Sequence, residues 1–207
     1  MNHRIRSDTE AHAGPCPSTR RTPRAPQPAA ASRRRLLLAG AGAFALAGCA
    51  AVEPSVYRAE RPALDLKRFF DGTVDAWGIF QDRSGKVVRR FTVLMQCSWS
   101  GDVGTLDELF RYSDGTTGRR VWTLRRIGAD LWSGIAEDVI GEATGAVAGN
   151  AFHWRYTLAL PVDGRIWHVD MDDWMYLVDE RVMLNRAVMS KFGVRLGKVT
   201  LAFTRRT

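Results

Sequence analysis

Phe152-His153-Trp154-Arg155-Tyr156-Thr157-Leu158-Ala159-Leu160 is the stretch whose reading decides the fold. Phe152, Trp154, Tyr156, Leu158 and Leu160 alternate with His153, Arg155, Thr157 and Ala159. Successive side chains of a strand point to opposite faces, so the alternation makes one apolar face and one more polar face. It predicts a half-buried β-strand.

Working outward, weaker stretches of the same period cover Val121 to Ile127, Leu106 to Tyr112, Trp174 to Val178 and Lys198 to Thr204. Between them fall Asp82-Arg83-Ser84-Gly85, Ser100-Gly101-Asp102, Asp114-Gly115, Gly128-Ala129-Asp130 and Asp163-Gly164. These are turn formers at hairpin intervals, and they predict roughly nine or ten antiparallel strands. No strand–helix–strand spacing appears, which argues against a parallel sheet. The one helical piece is Asp65 to Phe70, stopped by Gly72, with Leu66, Phe69 and Phe70 on its apolar side. Residues 63–207 are therefore expected to be all-β, an up-and-down barrel with a short N-terminal helix, because closure removes exposed edges. A β-sandwich is the alternative.

The chain ahead of the barrel has a different composition. Eight arginines and two acids lie in residues 1–48, so the net +8 of the 207-residue chain falls to +2 beyond them. The basic character belongs to this leader, and no nucleic-acid partner is inferred. Residues 1–32, rich in Arg, Pro and Ala, are too poor in apolar side chains to fold. Residues 33–48 read as a signal peptide: Arg33-Arg34-Arg35 is a positive start, and Leu36 to Gly48 is apolar. Thirteen residues of helix reach only about 20 Å, short of a ~30 Å hydrocarbon core. Leu46-Ala47-Gly48-Cys49 looks like the lipobox of bacterial lipoproteins, which makes Cys49 the expected lipidated residue and the membrane the expected partner. Several acyl chains anchor far better than one. Ser32-Arg33-Arg34-Arg35-Leu36-Leu37 also resembles a twin-arginine signal, with ordinary Sec export left open. Ala50 after the cysteine favours the outer membrane by resemblance to lipoprotein sorting, facing the periplasm, with the inner membrane as the alternative. Residues 49–62 complete this segment as lipidated Cys and tether. Of three cysteines, only Cys97 lies in the barrel, so no internal disulfide is available.

Candidate sites are few. Trp122, Trp154, Tyr156, Trp174 and Tyr176 would line an apolar ligand cavity if the barrel is hollow, or fill it as a packed core. His168, Asp170 and Asp172 share a strand face and are weak metal candidates; a solvated face is the plainer reading. Asp172-Asp173 and Asp107-Glu108 are carboxylate pairs that are expected at tight turns. Arg119-Arg120 and Arg125-Arg126 would each split across the two faces, and an arginine turned inward would face an anionic ligand. No nucleophile, phosphate-binding or zinc motif is present, so no cofactor is expected and the chain gives no positive sign of being an enzyme.

Several blocks in order carry a family resemblance: Ala76-Trp77-Gly78-Ile79-Phe80-Gln81-Asp82-Arg83-Ser84-Gly85, Gly104-Thr105-Leu106-Asp107-Glu108, Arg119-Arg120-Val121-Trp122, Trp154-Arg155-Tyr156, Leu160-Pro161-Val162-Asp163-Gly164, Asp172-Asp173-Trp174-Met175-Tyr176 and Met189-Ser190-Lys191-Phe192-Gly193. Over residues 60–205 the chain resembles the bacterial lipoprotein family called domain of unknown function 3833. The resemblance implies a lipoprotein of lipocalin-like type and brings no active-site residues. Trp77 is similar to the tryptophan of the lipocalin Gly-x-Trp signature, although Asp75 stands where the glycine should be. Three functions follow as expectations: carriage of an apolar or amphipathic, lipid-like small molecule; a structural or assembly lipoprotein; and a small barrel enzyme using His153, His168 and nearby carboxylates.

Overall fold

Ten antiparallel strands close on themselves in the computed structural model, which describes residues 51–206. The extension, the signal peptide and Cys49 lie outside the described residues. The strands are β1 (Gly72–Asp82), β2 (Val87–Ser100), β3 (Val103–Tyr112), β4 (Thr117–Arg126) and β5 (Leu131–Ile135). They continue as β6 (Val139–Ala148), β7 (Ala151–Val162), β8 (Arg165–Leu177), β9 (Val182–Lys191) and β10 (Val194–Arg205). Each strand pairs with its sequence neighbours, and β1 closes the ring against β10 from Val74 opposite Arg205 to Asp82 opposite Gly197. The fold is the expected lipocalin-like up-and-down barrel.

Period-two patterning builds it. In β9, Met183, Asn185, Ala187 and Met189 are buried while Leu184 and Arg186 are exposed. The quoted stretch of β7 follows the same rule, with Phe152, Trp154 and Leu158 buried from the inner side. Its outer residues Ala151 and His153 are buried as well, because other parts of the chain cover that wall. All five turn signals fall between strands. Asp163 and Gly164 both have positive φ, 50° and 73°, the backbone that a two-residue hairpin twisted like its strands requires.

The ends of the barrel differ. Helix α1 (Leu66–Phe69) is capped by Asp65, whose carboxylate accepts from the Arg68 amide at 3.1 Å. Leu64, Leu66, Phe69 and Phe70 are all buried, and Trp99 Nε1 donates to the Phe70 carbonyl at 2.5 Å. Lys67 donates to Gly101 O at 2.9 Å and Leu64 N to Gly149 O at 2.8 Å, which seats α1 at the end formed by the β2–β3 and β6–β7 turns. The opposite end, with the β1–β2, β7–β8 and β9–β10 hairpins, has no such plug among the described residues.

Several expectations change. The segment 50–62, expected to be a plain tether, carries a 3₁₀ turn at Pro54–Tyr57 and packs on the barrel. The strand expected over Trp174 to Val178 is the tail of a longer one. β8 runs unbroken from Arg165, so Asp172-Asp173 is mid-strand rather than a turn. Asp107-Glu108 is likewise mid-strand in β3. Trp77 is 52% exposed on the outer wall, and Asp75 beside it binds Arg206 through two contacts of 2.6 and 2.7 Å. That ion pair ties the chain's end to β1.

Candidate functional site

Inward parity brings a polar belt into an otherwise apolar interior. Glu108 on β3 and Arg120 on β4 are directly paired across the ladder, Tyr156 projects from β7, Asp173 from β8 and Asn185 from β9. With Trp122, Trp154, Met171 and other apolar side chains they line a cavity of about 510 Å³. At the α1 end the lining stops on buried residues, Phe70, Phe152 and Phe203. At the other end it reaches Val88, Pro161 and Val162, which are exposed. The cavity is thus a cup with its mouth at the hairpin end.

One wall of the cup is stitched by side chains. β5 is only five residues long, and β4 pairs with it over Thr123–Arg126 alone. The first half of β4 has no strand on that side among the described residues. Arg120 bridges the gap to Asp138 in the β5–β6 turn, with Nε at 3.0 and 2.9 Å from the two carboxylate oxygens and a terminal nitrogen at 2.6 Å. The Trp122 ring meets Trp154 at 5.8 Å and Tyr156 at 5.3 Å across the same seam. Arg120 does turn inward, but Asp138 already takes up its charge.

Electrostatics inside the cup are unusual. Burial pushes the Glu108 carboxyl up to about 7; Arg120 pulls the other way, while Asp138, Asp173 and Asp107 add to the rise. Glu108 is only half-buried by area because its remaining surface faces the cavity and not bulk water. Burial likewise pushes Asp173 up to about 7, against a short hydrogen bond from the Asn185 amide and with Asp172 adding to the rise. The Tyr156 phenol is pushed well up by burial and by Asp173, which keeps it a hydrogen-bond donor at neutral pH. Burial opposes the charge of Arg120, but Glu108, Tyr156 and Asp138 raise its pKa above the ordinary arginine value.

A family model described as "Protein of unknown function (DUF3833)" matches residues 43–205. The chain belongs to the DUF3833 family. No curated protein matches it. Among solved structures, an S-type phycobiliprotein lyase from Guillardia theta is similar over 70% of this chain and 94% of its own, with a TM-score of 0.52 at 6% identity. That likeness concerns the fold.

In this DUF3833 barrel the aromatic set separates into two groups. Trp122, Trp154 and Tyr156 face the cavity. Trp174 and Tyr176 do not: the parity that points Asp173 and Met175 inward sends them to the outer wall. There Trp174 stacks on His153 at 4.0 Å and 12° and on Tyr176 at 5.9 Å and 8°, and Tyr57 caps both rings edge-on at 5.7 and 5.3 Å. His153 Nε2 lies 2.8 Å from Asp172 Oδ1. His168, Asp170 and Asp172 share the outer face of β8, but Asp170 accepts from Thr157 and Asp172 is engaged with His153. Among the described residues, no group of three or more His, Cys, Asp and Glu is placed to hold a metal. His153 lies opposite Trp174 and His168 opposite Ala159, six positions apart on β8 or about 20 Å, so the two histidines do not meet. Cys97 is buried, and burial pushes its thiol up to about 12, which makes it a poor nucleophile. Sequence reasoning placed Glu108 and Asp173 at turns rather than inside the barrel, and it missed Asn185. Their signal was parity with Leu106, Met171 and Met183, read through an unbroken strand.

Proposed function

We propose that this protein is an envelope lipoprotein, anchored through a lipid on Cys49, that holds an apolar or amphipathic small molecule in its barrel. The carrying observation is the cavity: about 510 Å³, lined mostly by apolar and aromatic side chains with a few convergent polar groups. That volume and lining fit the usual range of small-molecule sites. A barrel whose interior served only as a packed core would be filled by these side chains.

Native mass spectrometry of the envelope-exported protein, purified without detergent, tests the reading. Extra mass that leaves on unfolding supports it. Bare polypeptide mass that persists after incubation with envelope lipid extract overturns it and favours a structural or assembly role. That second reading draws on the exposed apolar side chains at the hairpin end, Ile166, Phe192 and Val194. The anchor is tested separately. Cys49→Ser should leave the protein unlipidated and released from outer-membrane fractions, and normal lipidated mass in that variant refutes the assignment.

A further inference from the structure

A binding site in an apolar cup is defined by the polar groups it leaves unanswered. Arg120, the cation at the level of the two carboxyls, is engaged by Asp138 through three contacts of 2.6 to 3.0 Å. Asp173 and Asn185 bind each other, and Asn185 also reaches the Trp174 carbonyl at 3.2 Å. Glu108 has no hydrogen-bond partner among the described residues, and its carboxyl faces the cavity. The Tyr156 hydroxyl faces the same space. Two carboxyls, a phenol and an amide thus surround the cavity's middle. Arg89, which lines the cavity nearer its mouth, has its terminal nitrogen on Asp114 Oδ2 and Thr116 Oγ1 at 2.6 Å and leaves only its Nε buried without a partner among the described residues.

From this arrangement we infer that the cup selects amphiphiles with a protonated-nitrogen head, seated between Glu108 and Asp173 with the apolar tail along Trp122, Trp154 and Met171. The inference rests on the proposed small-molecule binding and specifies its ligand class. The charge balance decides the sign. A carboxylate head would meet two like groups in a low-dielectric site, where repulsion is strong. A neutral head would leave the ionised carboxyls with only Arg120, already shared with Asp138, as counter-charge, which is costly in an apolar surrounding. An ammonium head offers three donors, enough for both carboxyls and one further acceptor. The groups facing Glu108 are Asp107 on its own strand, Arg120, Asp138 and Asp173; those facing Asp173 are Asp172, Asn185, Arg120 and Tyr156. Burial holds both carboxyls near neutrality, so they ionise fully only as pH rises past about 7.

The test compares three probes of one tail length, dodecylammonium, dodecanol and dodecanoate, each below its micelle concentration. Quenching of tryptophan fluorescence in the full-length protein reports binding. At pH 7.5 dodecylammonium should bind about tenfold tighter than dodecanol, the difference between charge-assisted and neutral hydrogen bonds, and dodecanoate weakest. The preference for the ammonium should grow from pH 6 to pH 8. The double variant Glu108→Gln with Asp173→Asn should keep dodecanol binding and lose the preference and its pH dependence. Retained dodecanol binding also shows that the variant folds. Equal affinity for the three heads, or a preference for dodecanoate, overturns the inference while leaving small-molecule binding intact. If none of the three binds, both the inference and the reading beneath it are lost.

Discussion

The two faces of the β7–β8 pair are equally rich in aromatics and do opposite things. On the inner face Trp154 and Tyr156 leave space, and the polar groups beside them look into it. On the outer face His153, Trp174 and Tyr176 are stacked shut beneath Tyr57, and the polar atoms are mostly paired off. The difference follows from what each face meets. A barrel's inner wall curves toward itself across a fixed diameter, so side chains too short to cross it leave a void. The outer wall meets a loose segment of the same chain, which can settle until rings touch. Aromatic density therefore signals burial in both places and a cavity in only one.

Substitutions on either face can break this contrast. The largest effect is expected for Trp154→Ala, about 3 to 5 kcal/mol of stability lost in urea unfolding, with weaker cavity ligand binding. Unchanged ligand affinity would mean that the inner face is core and not site. Gly149→Ala comes next. Gly149 has φ +55°, and a Cβ there would come within 1.8 Å of the Tyr57 carbonyl oxygen, so backbone must move. Roughly 2 kcal/mol should be lost, and residues 54–61 should become open to tryptic cleavage after Arg58 in limited proteolysis. Trp174→Ala should cost about 1 to 2 kcal/mol through the lost stacking on His153 and Tyr57, with ligand affinity untouched. A fall in affinity would couple the two faces.

The smallest effect is a pH-dependent one. The folded pKa of Glu108 is raised above its unfolded value, so the folded state holds the extra proton and stability declines as pH climbs from about 4 to about 7. Glu108→Gln removes that loss. The variant should match the parent at pH 4 and exceed it by about 1 kcal/mol at pH 8, after allowance for partial hydration of the cavity. Parallel pH–stability curves for the two proteins would show that the carboxyl is not confined.

Much of the barrel was legible because the strand period and turn chemistry are local. Phe152 to Leu160 and the Asp163-Gly164 hairpin needed no tertiary information. The site was less legible, and β8 shows why. Two adjacent aspartates look like a turn, since a buried carboxylate is costly. Reading a turn there resets the parity, and Trp174 and Tyr176 land on the wrong side. The ladder instead runs straight through, with Asp173 opposite Trp154 and Ala187, and Asn185 makes the inward aspartate tolerable. The same misreading hid Glu108. Cavity volume was not legible at all, because it depends on barrel diameter and on how far each side chain crosses it.

The docking of residues 54–64 at the closed end has a consequence for orientation. Between Cys49 and Glu53 there are four peptide links, a reach of about 14 Å at full extension. Strands of twelve residues tilted as in other barrels stand roughly 30 Å tall. Under the proposed lipidation of Cys49, so short a link would favour a barrel held base-down, with its mouth turned from the bilayer, so that a bound molecule would be exchanged across the compartment. Unseating the segment would add about ten residues, or some 35 Å, of leash and would let a lipid-anchored barrel tip its mouth toward that bilayer. On that proposal, the close approach of Gly149 to the Tyr57 carbonyl would set which of two surfaces the mouth faces.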